Sequence, residues 1–209
     1  MTPDQLRAAL DDRTAEPGRR WLDDSLAAVA ADPSAVHTLF PQAGRRCGRG
    51  PLGDSGPYGW TVDDAARALL LTALPLRGDA LLHRTDTLYR TGDAEERRAV
   101  LRALPLLPLG GEALPLVRDA LRTNDTRLVA AALGDYATAY LDPDGYRQGV
   151  LKCVFTGIPL AVLPGLPARA DAELARMLTA FAAERTAAGR PVPADIGPAV
   201  EACSRSTAP

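Results

Sequence analysis

The amino-acid sequence predicts an all-α protein on three observations. Apolar residues recur at helical spacing nearly throughout, strand-like alternation is scarce with aromatics at only 5%, and helix-start signals return at a near-constant interval. Thr61-Val62-Asp63, Thr91-Gly92-Asp93 and Thr123-Asn124-Asp125 open helices 30 and 32 residues apart. Each supplies side-chain oxygens for the free N–H groups of a first helical turn. An arginine follows each time, at Arg67, Arg97 and Arg127. The intervals hold three helical hairpins, over 61–76 with 79–91, 93–107 with 111–123, and 125–140 with 142–157. Units of this length that bury apolar faces on their neighbours make a HEAT/armadillo-like stack, an α-α superhelix.

The elements follow in order. Helices over 3–11, 17–31 and 33–42 precede the hairpins, so 1–43 reads as N-terminal capping helices. The stretch "AGRRCGRGPLGDSGPYGW" (43–60) carries six glycines and two prolines, which makes 44–59 a Gly/Arg-rich loop. In "TVDDAARALLLTALPL", Ala65, Leu69, Leu70, Ala73 and Leu74 share one helix face. Residues 60–193 hold the hairpin stack and a C-terminal helix over 171–189. That helix has a core stripe of Leu174, Met177, Leu178 and Phe181, and Gly189 suits its C-cap. Residues 194–209 read as a tail with frayed last residues. One domain over 1–209 is expected, because 209 residues bury a substantial core without disulfides or metals.

Composition excludes several function classes. A net charge of −2 lacks the positive field of a general nucleic-acid binder. Cys47, Cys153 and Cys203 form no CxxC pair, and His37 and His83 have no HExxH spacing, so neither a disulfide framework nor a zinc site is expected. No cofactor is implied. The N-terminus lacks a basic segment followed by an apolar one, and no apolar run approaches the roughly 20 residues of a membrane span. A soluble, cytoplasmic protein is the expectation.

Catalytic patterns are weak. No GxSxG elbow occurs, and the pairs Asp23-Asp24 and Asp63-Asp64 read as solvated charge at helix beginnings or faces. Arg45, Arg46 and Arg49 around Cys47 suggest an anion cradle, but neither GKS/GKT nor GxGxxG accompanies them. An exposed, mobile basic loop facing an acidic partner is the simpler reading.

Lys152 stands out as the only lysine among 24 basic residues. Asp142-Pro143 starts its helix, with Asp at the N-cap and Pro at N1. Tyr146, Val150, Leu151, Val154, Phe155 and Ile158 cover a broad apolar arc, while Gln148, Lys152 and Thr156 form a narrow polar line. Gly145 and Gly149 would let another helix or chain come close. Three roles stay open for Lys152: a charge at a wet helix edge, a buried partner of a carboxylate, or a binding group, with a Schiff-base amine as a special case of the last. Second helices of a hairpin stack line its concave surface. That alignment brings Arg118, Arg122 and Asn124 beside Gln148 and Lys152, a locally basic groove on a weakly acidic chain.

The segments "WTVDDAARALLL" (60–71), "LPLLP" (104–108), "RTNDTRLVAAAL" (122–133), "YRQGVLKCVFTGIPL" (146–160) and "RADAELARMLTAFAAERTAAGRPV" (169–192) together resemble the EboA family of the bacterial ebo gene cluster. The resemblance implies a helical cytoplasmic protein encoded beside a membrane prenyltransferase and several enzyme-like proteins; other ebo-cluster proteins are the partners expected, with a peripheral place at the cytoplasmic membrane as an option. It implies a part in moving a secondary-metabolite precursor, and the basic groove would then contact an acidic partner segment or an anionic or prenylated small molecule. The recurrent polar positions of the family fall here on Arg122, Thr123 and Asn124, on Gln148 and Lys152, and on Glu184, Arg185 and Arg190. Arg147, Ala183 and Thr186 depart from the family pattern of asparagine, histidine and tryptophan, which weakens a histidine-based active site. The candidate binding residues are therefore Arg118, Arg122, Asn124, Gln148, Lys152, Glu184 and Arg185. The function expected is that of a non-enzymatic binding or scaffold protein of a metabolite-traffic system. The alternative is a lysine-dependent enzyme acting on a prenylated or carbonyl-containing metabolite. A nucleic-acid groove, which some HEAT-like folds carry, is disfavoured by the net charge.

Overall fold

The computed structural model describes residues 1–57 and 59–206, with side chains through residue 203. Among these residues the secondary structure is helical, and one isolated bridge, Pro51 to Thr61, is the only β pairing. Two compact units emerge, Met1–Leu116 and Val117–Pro209.

In the first unit α1 spans Pro3–Asp11 and α2 spans Glu16–Ala31. Thr2 opens α1 with a capping box: Gln5 N–H donates to Thr2 Oγ1 at 3.3 Å, and Thr2 N–H to Gln5 Oε1 at 2.9 Å. The helix expected over 33–42 is instead a run of short turns, in which α3 (Val36–Leu39) and α4 (Ala43–Arg46) are separated by the 3₁₀ turn Phe40–Gln42. Pro41 lies in that turn and has no N–H to continue a helical ladder. Helix α5 (Val62–Thr72) is buried at every residue from Val62 to Leu71. It packs against α1, α2, α4 and α7. It stops short of the expected residue 76 because Pro75 disfavours helical geometry at Leu74. Helices α6 (Gly78–Thr91) and α7 (Ala94–Ala103) lie against each other.

Helix α8 (Leu114–Arg122) leads into the second unit. The expected 125–140 helix is two, α9 (Thr126–Ala132) and α10 (Asp135–Tyr140), with extended Gly134 between them. Helix α11 (Pro143–Thr156) is capped by Asp142, whose carboxylate accepts the Gly145 N–H at 2.7 Å. It ends on left-handed Gly157, with the Ile158 N–H returning to Cys153 O at 2.8 Å, a Schellman closure. Gly149 faces Leu133: a Cβ there would sit 2.7 Å from Leu133 Cδ2, so the missing side chain does permit the close approach of α9. Helices α12 (Leu166–Arg169) and α13 (Ala172–Ala187) follow. The segment expected as a tail contains α14 (Ile196–Ser206), which buries Ile196, Ala199 and Cys203 and packs on α13.

The three start signals take their expected places, since Thr61, Asp93 and Asp125 are the N-caps of α5, α7 and α9.

Candidate functional site

All seven candidate binding residues fall in the second unit. Asp142 and the carbonyl end of α8 link several of them. Arg118 Nη2 donates to Asp142 Oδ2 at 3.1 Å on an exposed surface. Arg122, at the end of α8, is 76% exposed and lies 3.5 Å from Asp119, its one ion-pair partner among the described residues. Lys152 is half-buried, and its Nζ donates to Leu121 O at 2.7 Å. That carbonyl belongs to the last turn of α8, where intrahelical donors run out, so the lysine acts as a C-terminal cap. Thr123 Oγ1 donates in the same way to Ala120 O at 2.8 Å. Asn124 and Gln148 are exposed. Among the described residues Lys152 Nζ meets the Leu121 carbonyl and forms no carboxylate pair.

The apolar arc of α11 holds in four of its six members, Leu151 being only half-buried. Tyr146, Val150, Val154 and Ile158 are buried, whereas Phe155 is 67% exposed. Its ring meets Phe181 of α13 edge-on, with centroids 4.8 Å apart. Arg185 lies over the Phe181 ring at 5.6 Å and donates through Nε to Pro191 O at 2.6 Å. Glu184 is exposed. Phe155 follows Gln148 and Lys152 at helical spacing, so one face of α11 presents a polar line ending in an aromatic ring, with Arg185 adjoining through Phe181. Arg147, which departs from the family pattern, has its own function in the fold: its guanidinium grips Asp171 through Nε and Nη2 at 2.8–3.2 Å, tying α11 to the N-cap of α13.

The thiols are poor nucleophiles. Burial pushes Cys153 up to about 12 and Cys47 up to about 11, so neither supplies thiolate near neutral pH. His37 is lowered by burial and then by Arg84. His83 is exposed at the rim of a cavity of about 310 Å³ in the first unit. Among the described residues no group of three or more His, Cys, Asp or Glu side chains converges as metal ligands would.

Sequence reasoning missed the charged network at the start of α5. Asp63 and Asp64 do not carry solvated charge; their side chains are 1% and 0% exposed. Arg67, also 1% exposed, donates to Asp63 Oδ2 at 2.5 Å and to Phe40 O at 3.1 Å. Asp64 accepts from Arg98 Nε at 3.0 Å, from Arg102 Nη1 and from the Thr61 N–H. Thr61 Oγ1 lies 2.7 Å from both carboxylates and accepts from Arg98 Nη2 at 3.1 Å. Its single proton can serve only one carboxylate at a time. Burial lowers Arg102 against the pull of Asp64. The arginines arrive from α7, more than thirty residues away, and no local pattern announces them. The i, i+4 spacing of Asp63 and Arg67 was the one available signal.

Fold and site together define an all-helical protein with charged helix ends and inert buried thiols, in which no described helix is long and apolar enough to cross a membrane. The chain belongs to the EboA family: the family model described as metabolite traffic protein EboA matches residues 2–201. No curated protein and no solved structure matches it. Its family role is therefore in metabolite traffic.

Proposed function

We propose that this chain is a non-catalytic binding and scaffold protein that assists transport or processing of a secondary-metabolite precursor at the cytoplasmic membrane. The observation that carries the reading is the family match over residues 2–201. The hairpins are read as a HEAT-like stack, a form suited to presenting helix faces to a partner. The surface proposed for contact is built from Arg118, Arg122, Asn124 and Gln148, with Lys152 securing the α8 end, and continues through Phe155 to Glu184 and Arg185. Exposed arginines beside an aromatic ring suit an acidic partner segment, or an anionic molecule with an apolar chain. The partners proposed are other proteins of the same gene cluster, a membrane prenyltransferase among them.

The lysine-dependent alternative has less support. Among the described residues Lys152 Nζ has one hydrogen bond, to a backbone carbonyl, and no carboxylate or imidazole stands beside it as an acid or base. Titrating the purified protein with the other products of the cluster tests the scaffold reading. Saturable binding should weaken several-fold in Arg122→Glu and Phe155→Ala, both at exposed positions. Binding indifferent to both variants sinks the surface assignment.

A further inference from the structure

We propose that the cavity between α6 and the start of α8, in the first unit, binds a small organic cation: an amine carried on an apolar body. None of its residues belongs to the second-unit surface proposed above.

The space suits a small molecule. About 310 Å³ is open there, at the lower end of the range of roughly 300–1,000 Å³ that small-molecule sites occupy. Helix α6 lines it with Asp79, Leu82, His83 and Asp86, the i, i+3, i+4, i+7 set that a helix presents on a single face. The rest of the lining comes from Glu112, ahead of α8, and from Pro115 and Leu116 in its first turn. Leu82 is half-buried and Pro115 exposed, so the lining leaves apolar surface that a ligand body could cover.

The charges at the cavity select the ligand. Asp79 and Glu112 are exposed, and among the described residues their carboxylates have no ion pair or hydrogen bond. Asp86 adds little net charge, because Arg90 Nε donates to both of its oxygens at 2.9 Å. Among the described residues no arginine or lysine lines the cavity. Two uncompensated carboxylates therefore border one apolar space, which attracts a cation and repels an anion. The neutral His83 imidazole can accept a further ammonium N–H. A lone carboxylate in a first helical turn is ordinary, but Asp79 and Glu112 reach the same cavity from separate segments of the chain. A bare metal ion fits poorly. Among the described residues no three His, Cys, Asp or Glu side chains come together to hold one, whereas an amine needs only one or two acceptors. A neutral apolar molecule would gain nothing from the carboxylates.

The test uses the full chain, labelled with nitrogen-15, at neutral pH and constant ionic strength. Hexylamine is the probe and 1-hexanol its uncharged analogue, with amide shifts followed by NMR. Hexylamine should shift the amides of residues 79–86 and 112–116 saturably, and 1-hexanol should bind about fivefold more weakly. Asp79→Asn and Glu112→Gln change exposed side chains, so amides remote from the cavity should keep their positions. Together the two substitutions should weaken hexylamine about fivefold and leave 1-hexanol unaffected. Equal binding of the amine and the alcohol overturns the proposal. So does hexylamine binding that the double variant leaves intact, or a set of shifts spread over the acidic surface instead of the cavity.

Discussion

Lys152 Nζ sits 2.7 Å from Leu121 O, joining residues 31 apart in sequence. The one lysine of the chain thus closes the end of α8 from the side of α11. Replacing it by methionine keeps the stem and removes the donor. Lys152→Met should lower stability by about 1 kcal/mol, less than a fully buried charged hydrogen bond would because the site is half-buried. The measurement is the urea midpoint with an unchanged slope.

Breaking the Asp63–Arg67 pair should be far more damaging. Both side chains are 1% exposed, so removing one partner strands the other charge in the interior. Asp63→Ala or Arg67→Met should each cost roughly 3–5 kcal/mol. In a double-mutant cycle, the doubly substituted protein should be more stable than the sum of the single losses predicts.

Acid should destabilise the second unit through Asp171. Its carboxyl is held below the ordinary 3.8, first by the Arg147 hydrogen bond, against an opposing push from burial, and further by the Leu174 N–H. A depressed folded value means that the stabilisation is complete above the unfolded value and is lost as the pH falls from about 4 through the lower folded value. Stability followed from neutral pH to about pH 2 should decline in that window, and Arg147→Gln should flatten the decline.

The thiols should resist alkylation. With Cys47 and Cys153 pushed up to about 11 and 12, and Cys203 raised by burial, iodoacetamide at mild alkaline pH should leave the native chain nearly unmodified. In denaturant all three should react, as mass measurement of the intact protein would register. Fast reaction of one native thiol would mean that its helix opens readily.

The helical class and most helix ends were legible because caps are local: Thr61, Asp93, Asp125, Asp142 and Asp171 each act within one turn of themselves. The breaks at Pro41 and Gly134 were misjudged where apolar spacing ran on through a residue that interrupts the ladder. The helical wheel put Lys152 on the right line of α11, but its acceptor is a backbone carbonyl, which no residue letter encodes. Asp63 and Asp64 were read as wet because an acidic first turn usually is. Their burial depends on Arg98 and Arg102, which only the tertiary fold brings near. Phe155 shows the reverse: the wheel placed it inside, yet it is 67% exposed beside Phe181.

The cap on α8 has a practical side. The chain offers two primary amines, the Met1 α-amino group on an exposed residue and the half-buried Nζ held against Leu121. An acylating reagent should therefore mark the folded molecule once and the opened molecule twice. The number of tags per chain then counts how many molecules have released the α8–α11 clasp, without a fluorophore, an antibody or an engineered residue.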